Sequence, residues 1–218
     1  WQYKSGNSKN YAEYEQVQLC SANDPMFSGL RMSNPGKEYE RNIQVEYTQP
    51  LAENRNLVLG AKAGRRSFTS NSDVFSFNPV SEQYLYDFRQ SYALNYHRDV
   101  YAMYAAVSFG LFNFINAKAG GRFEHTSTNA DYSNVSKVSI PGYNSFVPSL
   151  FLSHKLDDRQ VIKLSYGRRI QRPGYRELNP FVNAVDPKNI STGNPNLKPE
   201  ISDIIEAGYS TSFENGGS

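Results

Sequence analysis

The sequence predicts an all-β fold: about eight antiparallel strands of an up-and-down, membrane-spanning β-barrel. Apolar and polar residues alternate along most of the chain with a period of two, as in strands whose two faces meet different surroundings. The alternating runs are about 10 to 14 residues long, close to the roughly 9 to 11 residues that cross a bilayer at a tilt. Short and long connections alternate between the runs, which is typical of a barrel with tight turns at one end and long loops at the other.

The composition of the chain is compatible with this fold. Aromatic residues make up 14% of it, with 16 Tyr and 13 Phe, and aromatic girdles flank the apolar band of such barrels. The mean hydropathy of −0.63 fits a barrel because only alternate strand residues face lipid. The net charge of +2 gives no basis for a nucleic-acid partner. Cys20 is the single cysteine, so the chain forms neither an internal disulfide nor a multi-cysteine metal site.

In the N-terminal half, turn-forming residues bound each predicted strand. Residues 11–20 form a first strand, and residues 43–48 and 57–64 alternate clearly enough to predict a hairpin. Residues 100–115 are the most apolar stretch, and a transmembrane helix is the alternative there. Polar residues and glycine interrupt this stretch, so we expect a second hairpin that returns over residues 115–123.

In the C-terminal half, the alternation predicts three further strands. Residues 146–152 and 161–170 form a hairpin, and residues 203–213 repeat the pattern after a connection that contains five prolines. Proline removes a backbone donor and fixes φ, so neither a helix nor a central strand runs through that connection. One face of the hairpin is expected to point away from the barrel axis, and it consists of Leu150, Leu152, Ile162, Leu164 and Tyr166.

The connections set the expected register and the two ends of the barrel. Antiparallel partners share a face, so an odd number of residues must lie between the two paired residues of a tight hairpin. The pairs expected on this basis are Tyr47 with Leu57, Phe109 with Ile115, and Leu152 with Leu164. The predicted tight turns cover residues 50–54, 111–113 and 157–159, and the predicted long loops cover residues 21–37, 69–87, 129–141 and 171–201.

The motifs LSYGRRIQRPGYRELNPF, DPKNISTGNPNLKPE and EAGYS resemble the late barrel segment of TonB-dependent receptors. The resemblance covers the second half of the chain closely and the first half by pattern. It implies the bacterial outer membrane and energised uptake of a bulky nutrient: a siderophore, an oligosaccharide or a peptide. It also implies a plugged barrel of about 22 strands, so residues 1–218 are expected to be a partial barrel domain, processed or excised from a longer chain.

The same resemblance suggests partners for the protein. They are outer-membrane lipid, a TonB-type energy-coupling protein acting through missing N-terminal regions, a surface lipoprotein, and a small-molecule or oligosaccharide ligand. No cofactor is implied.

Charged and aromatic residues near the last long loop are the candidate binding groups. Guanidinium groups can grip carboxylate or phosphate, and aromatic and amide side chains can stack on or bond to a sugar or siderophore. The alternative is that these residues only fold the loop on itself. The candidates are Arg172, Tyr175, Arg176, Asn179, Asp186 and Asn189. Alternation also predicts a lumen charge network of Lys163, Arg169 and Glu206, and Glu200 is a further candidate partner of Arg169 or Arg172.

No sequence motif indicates an enzyme. The chain contains no GxSxG, phosphate loop or HExxH motif, and an outer-membrane hydrolase is therefore disfavoured. The hairpin register is expected to bring His97 and His125 close, but two imidazoles without a third ligand do not predict a metal site. The alternative function is a soluble or surface β-rich carbohydrate-binding protein. In that case the apolar faces would point inward into a closed core.

Overall fold

The computed structural model describes residues 2–8, 11–16, 30–112, 114–133, 138–182 and 190–212, with side chains from residue 31 onward. These residues form one antiparallel sheet of ten strands, which curves into a half-barrel, and one helical turn. No helix among them is long and apolar enough to cross a membrane. The strands are β1 (Gln2–Ser8), β2 (Tyr11–Gln16), β3 (Leu30–Ala52), β4 (Arg55–Asn78), β5 (Gln83–Tyr86), β6 (Tyr92–Leu111), β7 (Ile115–Tyr132), β8 (Tyr143–Lys155), β9 (Gln160–Gln171) and β10 (Glu200–Thr211), and the helical turn is α1 (Tyr175–Leu178).

The sheet has an up-and-down topology with eight positions across. β1 and β2 follow one another along the same edge of β3, with Ser8 opposite Glu38 and Tyr11 opposite Pro35. β5 and β6 likewise share one edge of β4. The order is β1/β2, β3, β4, β5/β6, β7, β8, β9 and β10. The predicted all-β, antiparallel class is therefore confirmed, and ten strands occupy eight positions across the sheet where about eight strands were expected.

One face of the sheet carries exposed apolar side chains from strand to strand. In one row across the sheet, Val45, Ala61, Met103, Phe123 and Phe146 are successive partners. Exposed apolar side chains that are not packed in a closed core are typical of the lipid-facing surface of a barrel. The predicted outward residues Leu150, Leu152, Ile162, Leu164 and Tyr166 all lie on this face. The opposite, concave face is mainly polar near its middle.

The tight turns keep the predicted parity, and two of them are tighter than expected. Leu152 lies opposite Leu164, as predicted. Tyr47 lies opposite Leu59 rather than Leu57, and Phe109 lies opposite Ala117 rather than Ile115. The strands run further because Asn54 and Phe112 adopt positive φ values of 61° and 50°, a conformation that permits very short hairpin turns.

At the other end, the strands extend into three of the predicted long loops. β3 begins at Leu30 within 21–37, β4 continues to Asn78 within 69–87, and β7 continues to Tyr132 within 129–141. Between β5 and β6, the chain bulges around Asp87, whose carboxylate accepts the backbone N–H of Arg89 at 2.9 Å. In the long hairpins, backbone N–H and C=O groups form hydrogen bonds with the neighbouring strand, which an irregular loop would not provide.

A small apolar core lies on the concave face at the long-loop end. It consists of Phe68, Leu94, Tyr96, Ala130, Tyr132 and Leu178, with Tyr92, Val138, Ile140 and Tyr175 packed against it. Leu178 belongs to α1, and every other member of the buried core belongs to β4, β6 or β7. The connection between β9 and β10 therefore folds inward onto the sheet.

Candidate functional site: a basic cleft under an inward-folded strap

A cleft of about 190 Å³ lies on the concave face beside the apolar core. Neighbouring strands β3, β4, β6 and β7 contribute its walls, and the segment after β9 contributes one side chain. We call this feature the basic cleft, and its lining residues are Glu40, Asn42, Lys62, Gly64, Arg65, Arg66, Arg98, Val100, Arg122 and Arg172. Arg65 is a special case because its side chain lies on the outward face and bonds Asp99 there.

Basic groups outnumber acidic groups around the cleft. The concave face presents five basic side chains here: Lys62, Arg66, Arg98, Arg122 and Arg172. Three carboxylates stand nearby: Glu38, Glu40 and Glu124. The positive charge left over makes the cleft attractive to anions, because low-dielectric walls focus the field in a concave site.

Glu124 is the central carboxylate of the cleft. Its side chain is only 8% exposed, and it accepts a hydrogen bond from Arg172 of the β9–β10 connection. Arg122 of the same strand also approaches it, with Nε 2.5 Å from Oε1. A buried carboxylate needs such partners to remain charged. Glu124 therefore joins the strand wall to the connection.

The connection itself forms a strap, which we define as residues 172–182, that lies across the concave face. Arg172 Nε donates to Thr126 Oγ1 at 3.2 Å. Tyr175 stacks on Phe68 with ring centroids 4.0 Å apart, and Phe181 packs on Tyr92 at 4.3 Å. Charged, hydrogen-bonded and aromatic contacts thus hold the strap against the sheet.

Hydrogen bonds inside the connection fix the shape of the strap. Glu177 Oε2 accepts the backbone N–H of Gly174 at 2.7 Å, which caps α1. Gly193 N–H donates to the carbonyl of Asn179, and Asn194 N–H donates to the carbonyl of Glu177, both at 2.7 Å. The returning chain is therefore hydrogen-bonded to the strap at two points.

The sequence-predicted ligand residues divide into three groups. Arg172, Tyr175 and Asn179 hold the strap in place, and Asn179 Nδ2 donates to the Tyr92 hydroxyl at 3.2 Å. Arg176 is exposed, with its guanidinium 5.8 Å from the Tyr175 ring centroid. Asp186 and Asn189 lie outside the described residues. A ligand-binding role for any of the six remains a prediction.

The lumen network of Lys163, Arg169 and Glu206 stays a prediction. All three lie on the concave side of β9 and β10, but among the described residues no ion pair joins them. Register explains this, since Gly208 lies opposite Lys163 and Ser202 lies opposite Arg169. In the part of the chain that the structure describes, the ion pairs on the concave face include Arg66–Glu38, Arg122–Glu124 and Arg172–Glu124.

The structure contradicts the expected pairing of Glu200 with Arg172 and the expected closeness of His97 and His125. Glu200 lies opposite Gln171, while the nearby Arg172 turns inward to Glu124. His97 lies opposite Asn129, and His125 lies opposite Tyr101. The two histidines are therefore four residues apart along the sheet, because the observed hairpin turn is tighter than the expected one.

The cleft residues on the central strands were not identified from the sequence. Lys62, Arg66, Arg98 and Arg122 occur at alternate positions on β4, β6 and β7, in phase with the concave face. The apolar alternation predicts which positions face the concave side. Counting the charged residues at those positions would have identified these four.

Comparison with known proteins gives the family. A family model described as "Outer membrane protein beta-barrel family" matches residues 1–217. The chain belongs to this family. Its location is the bacterial outer membrane, where the outward apolar face meets lipid. In such barrels the tight turns are periplasmic and the long connections extracellular, so the basic cleft lies toward the extracellular end.

A solved structure has a similar fold. The ferric citrate transporter FecA in the unliganded form aligns with a TM-score of 0.59 and 17% sequence identity, over 84% of this chain and 27% of that chain. This likeness shows the fold alone. The chain spans about a quarter of the length of that protein. No curated protein matches the sequence.

Proposed function

We propose that this chain forms part of the wall of an energised outer-membrane transporter that takes up a bulky nutrient, with a TonB-type energy-coupling protein as its partner. Family membership and the fold shared with a structure described as a ferric citrate transporter support this proposal. The work is uptake and not catalysis. Binding by a surface lipoprotein at the extracellular end stays a prediction.

The observation that carries the proposal is the basic cleft. It is open, polar and concave, and it lies beside a strap ordered by the barrel wall. Within the described part of the chain, no hydrogen bond or ion pair occupies Lys62, and Arg98 donates only to the carbonyl of Pro173, at 3.5 Å. These two side chains are available to a ligand without breaking an ion pair.

The excess positive charge of the cleft favours a negatively charged nutrient. Lysine and arginine groups form charge-assisted hydrogen bonds with carboxylate and phosphate oxygens. We therefore expect a nutrient that carries acidic groups, such as a ferric carboxylate chelate, an acidic oligosaccharide or an acidic peptide. A neutral sugar would gain little from this surface.

The test uses the double variant Lys62→Gln, Arg98→Gln in the intact outer-membrane protein. Binding and cellular uptake are measured with ferric citrate, an acidic oligosaccharide and an acidic peptide. Loss of the two charge-assisted contacts is expected to weaken binding of the accepted nutrient at least about tenfold. Lys118→Gln is the matched control, since Lys118 is also on the concave face but lies near the periplasmic turns.

Uptake that persists when the energy-coupling protein is deleted would contradict energised transport. Unchanged affinity in the double variant would contradict the cleft as the binding surface. The soluble carbohydrate-binding alternative requires apolar faces packed inward, whereas this sheet presents them outward.

A further inference from the structure

A row of charged residues crosses the outward face just beyond the apolar band. Arg41 on β3 lies directly opposite Arg65 on β4, and Arg65 lies directly opposite Asp99 on β6. We call these three residues the rim patch. Side chains directly opposite one another in an antiparallel pair have Cβ atoms only about 5 Å apart. The two arginine side chains therefore start from adjacent positions on the outward face.

The charges of the rim patch do not balance. Arg65 forms a bidentate ion pair with Asp99, in which Nε donates to Oδ1 at 2.6 Å and Nη2 donates to Oδ2 at 2.8 Å. Its side chain nevertheless remains 59% exposed. Among the described residues no hydrogen bond or ion pair engages Arg41. Like charges directly opposite one another destabilise a sheet, and an anion bridging the two arginines would remove that repulsion.

The position of the rim patch relative to the apolar band indicates which anion it meets. The next outward residues toward the periplasmic end are Ile43, Ala63 and Tyr101, which are partners in one row. Ile43 is 58% exposed and Tyr101 54% exposed, so the apolar band begins at this row. The rim patch lies on the extracellular side of the band, where the head groups of the outer leaflet meet the protein.

We propose that the rim patch binds a phosphate-bearing lipid head group of the outer leaflet. Arg41 and the exposed edge of Arg65 donate hydrogen bonds to the phosphate oxygens, and Asp99 holds the Arg65 guanidinium in place. Ile43 and Tyr101 contact the acyl chains of the same lipid. The site is on the lipid side of the wall, so it does not depend on the transport function proposed for the concave side.

The experiment measures lipid binding by the intact protein in detergent, using native mass spectrometry and titration with lipid A, a phosphorylated glycolipid. The double variant Arg41→Gln, Arg65→Gln is expected to bind lipid A at least about tenfold more weakly. Arg41→Lys, Arg65→Lys retains the charge and is expected to recover most of the affinity. Arg55→Gln is the matched control, because Arg55 has the parity of the outward face but lies at the periplasmic turn.

Two competing probes separate lipid recognition from simple charge. Wild type and the double variant are expected to bind lipid A that lacks its phosphates with the same affinity. Inorganic phosphate is expected not to displace lipid A at equal concentration. Displacement by inorganic phosphate would overturn the lipid assignment, and equal lipid A binding by wild type and the double variant would overturn the site.

The single variant Arg41→Gln protects the test against misassembly. Arg41 makes no described side-chain bond, so its removal leaves the Arg65–Asp99 contact intact. A barrel that assembles normally but binds lipid A as tightly as wild type would therefore also count against the proposal.

Discussion

The strap is expected to depend on Leu178, and its replacement by alanine is the sharpest test of the inward fold. Leu178 is 2% exposed and is the one strap residue in the fully buried core. It follows Tyr175 by one helical turn, so both side chains reach the same face of the sheet. Shortening it leaves a void between the strap and the strands.

The magnitude follows from large-to-small substitutions in cores. Leu→Ala changes at buried sites cost about 2 to 5 kcal/mol, and sites that can relax fall at the low end. The core here is small and open on one side, so we expect about 2 kcal/mol. That cost falls on strap docking and not on the barrel, because the strap contributes no strand to the sheet. The undocked population would rise about 30-fold.

Hydrogen exchange and limited proteolysis of the intact protein measure this change. In Leu178→Ala, backbone amides of α1 are expected to exchange faster and a protease to cut the strap sooner, while the strands keep their protection. Leu197→Ala is the control, since Leu197 lies in the same connection but is 42% exposed. Equal cutting of the two variants, or unfolding of the whole barrel in Leu178→Ala, would refute an independently docking strap.

Three further predictions concern the same region. Arg172→Ala is expected to loosen the strap by about 1 to 3 kcal/mol, because Glu124 loses a charged donor, and faster proteolysis of the strap checks it. Gly193→Ala is expected to displace the strap, since an added Cβ would lie 2.4 Å from a backbone carbonyl oxygen, whereas Gly208→Ala meets nothing within 4 Å and serves as the control. Burial raises the pKa of Tyr132 to about 12. Stability from its neutral phenol is present below about pH 10 and lost as pH rises through about 12, and the absorbance difference between wild type and Tyr132→Phe is expected to titrate near 12.

The strands and their faces were predictable because alternation is a local signal. Leu152 and Leu164 are separated by a short turn, so the face of one determines the face of the other. Exact register needed more, since the positive φ of Asn54 and Phe112 depends on turn chemistry that the parity rule does not contain.

The site was less predictable because its contacts are far apart in sequence. The Arg172–Glu124 pair joins residues that are 48 positions apart, and nothing near either residue indicates the other. The position of the charges in the strap connection was recognised from the sequence. Their partners depend on the strap folding inward, which is a property of the tertiary structure.

The length of the hairpins at the extracellular end has a consequence for how a nutrient would reach the proposed site. From Arg65 to Asn78, β4 continues for about 40 Å at 3.3 Å per residue, or about 30 Å along the membrane normal at a tilt of about 40°. Hydrogen bonds to neighbouring strands stiffen this extension over most of its length. In the transporter proposed above, a nutrient from outside the cell would therefore pass along these extended hairpins before it reaches the basic cleft. On that proposal, the hairpins would select a nutrient by its size first, and the charged groups of the cleft would recognise its chemistry second.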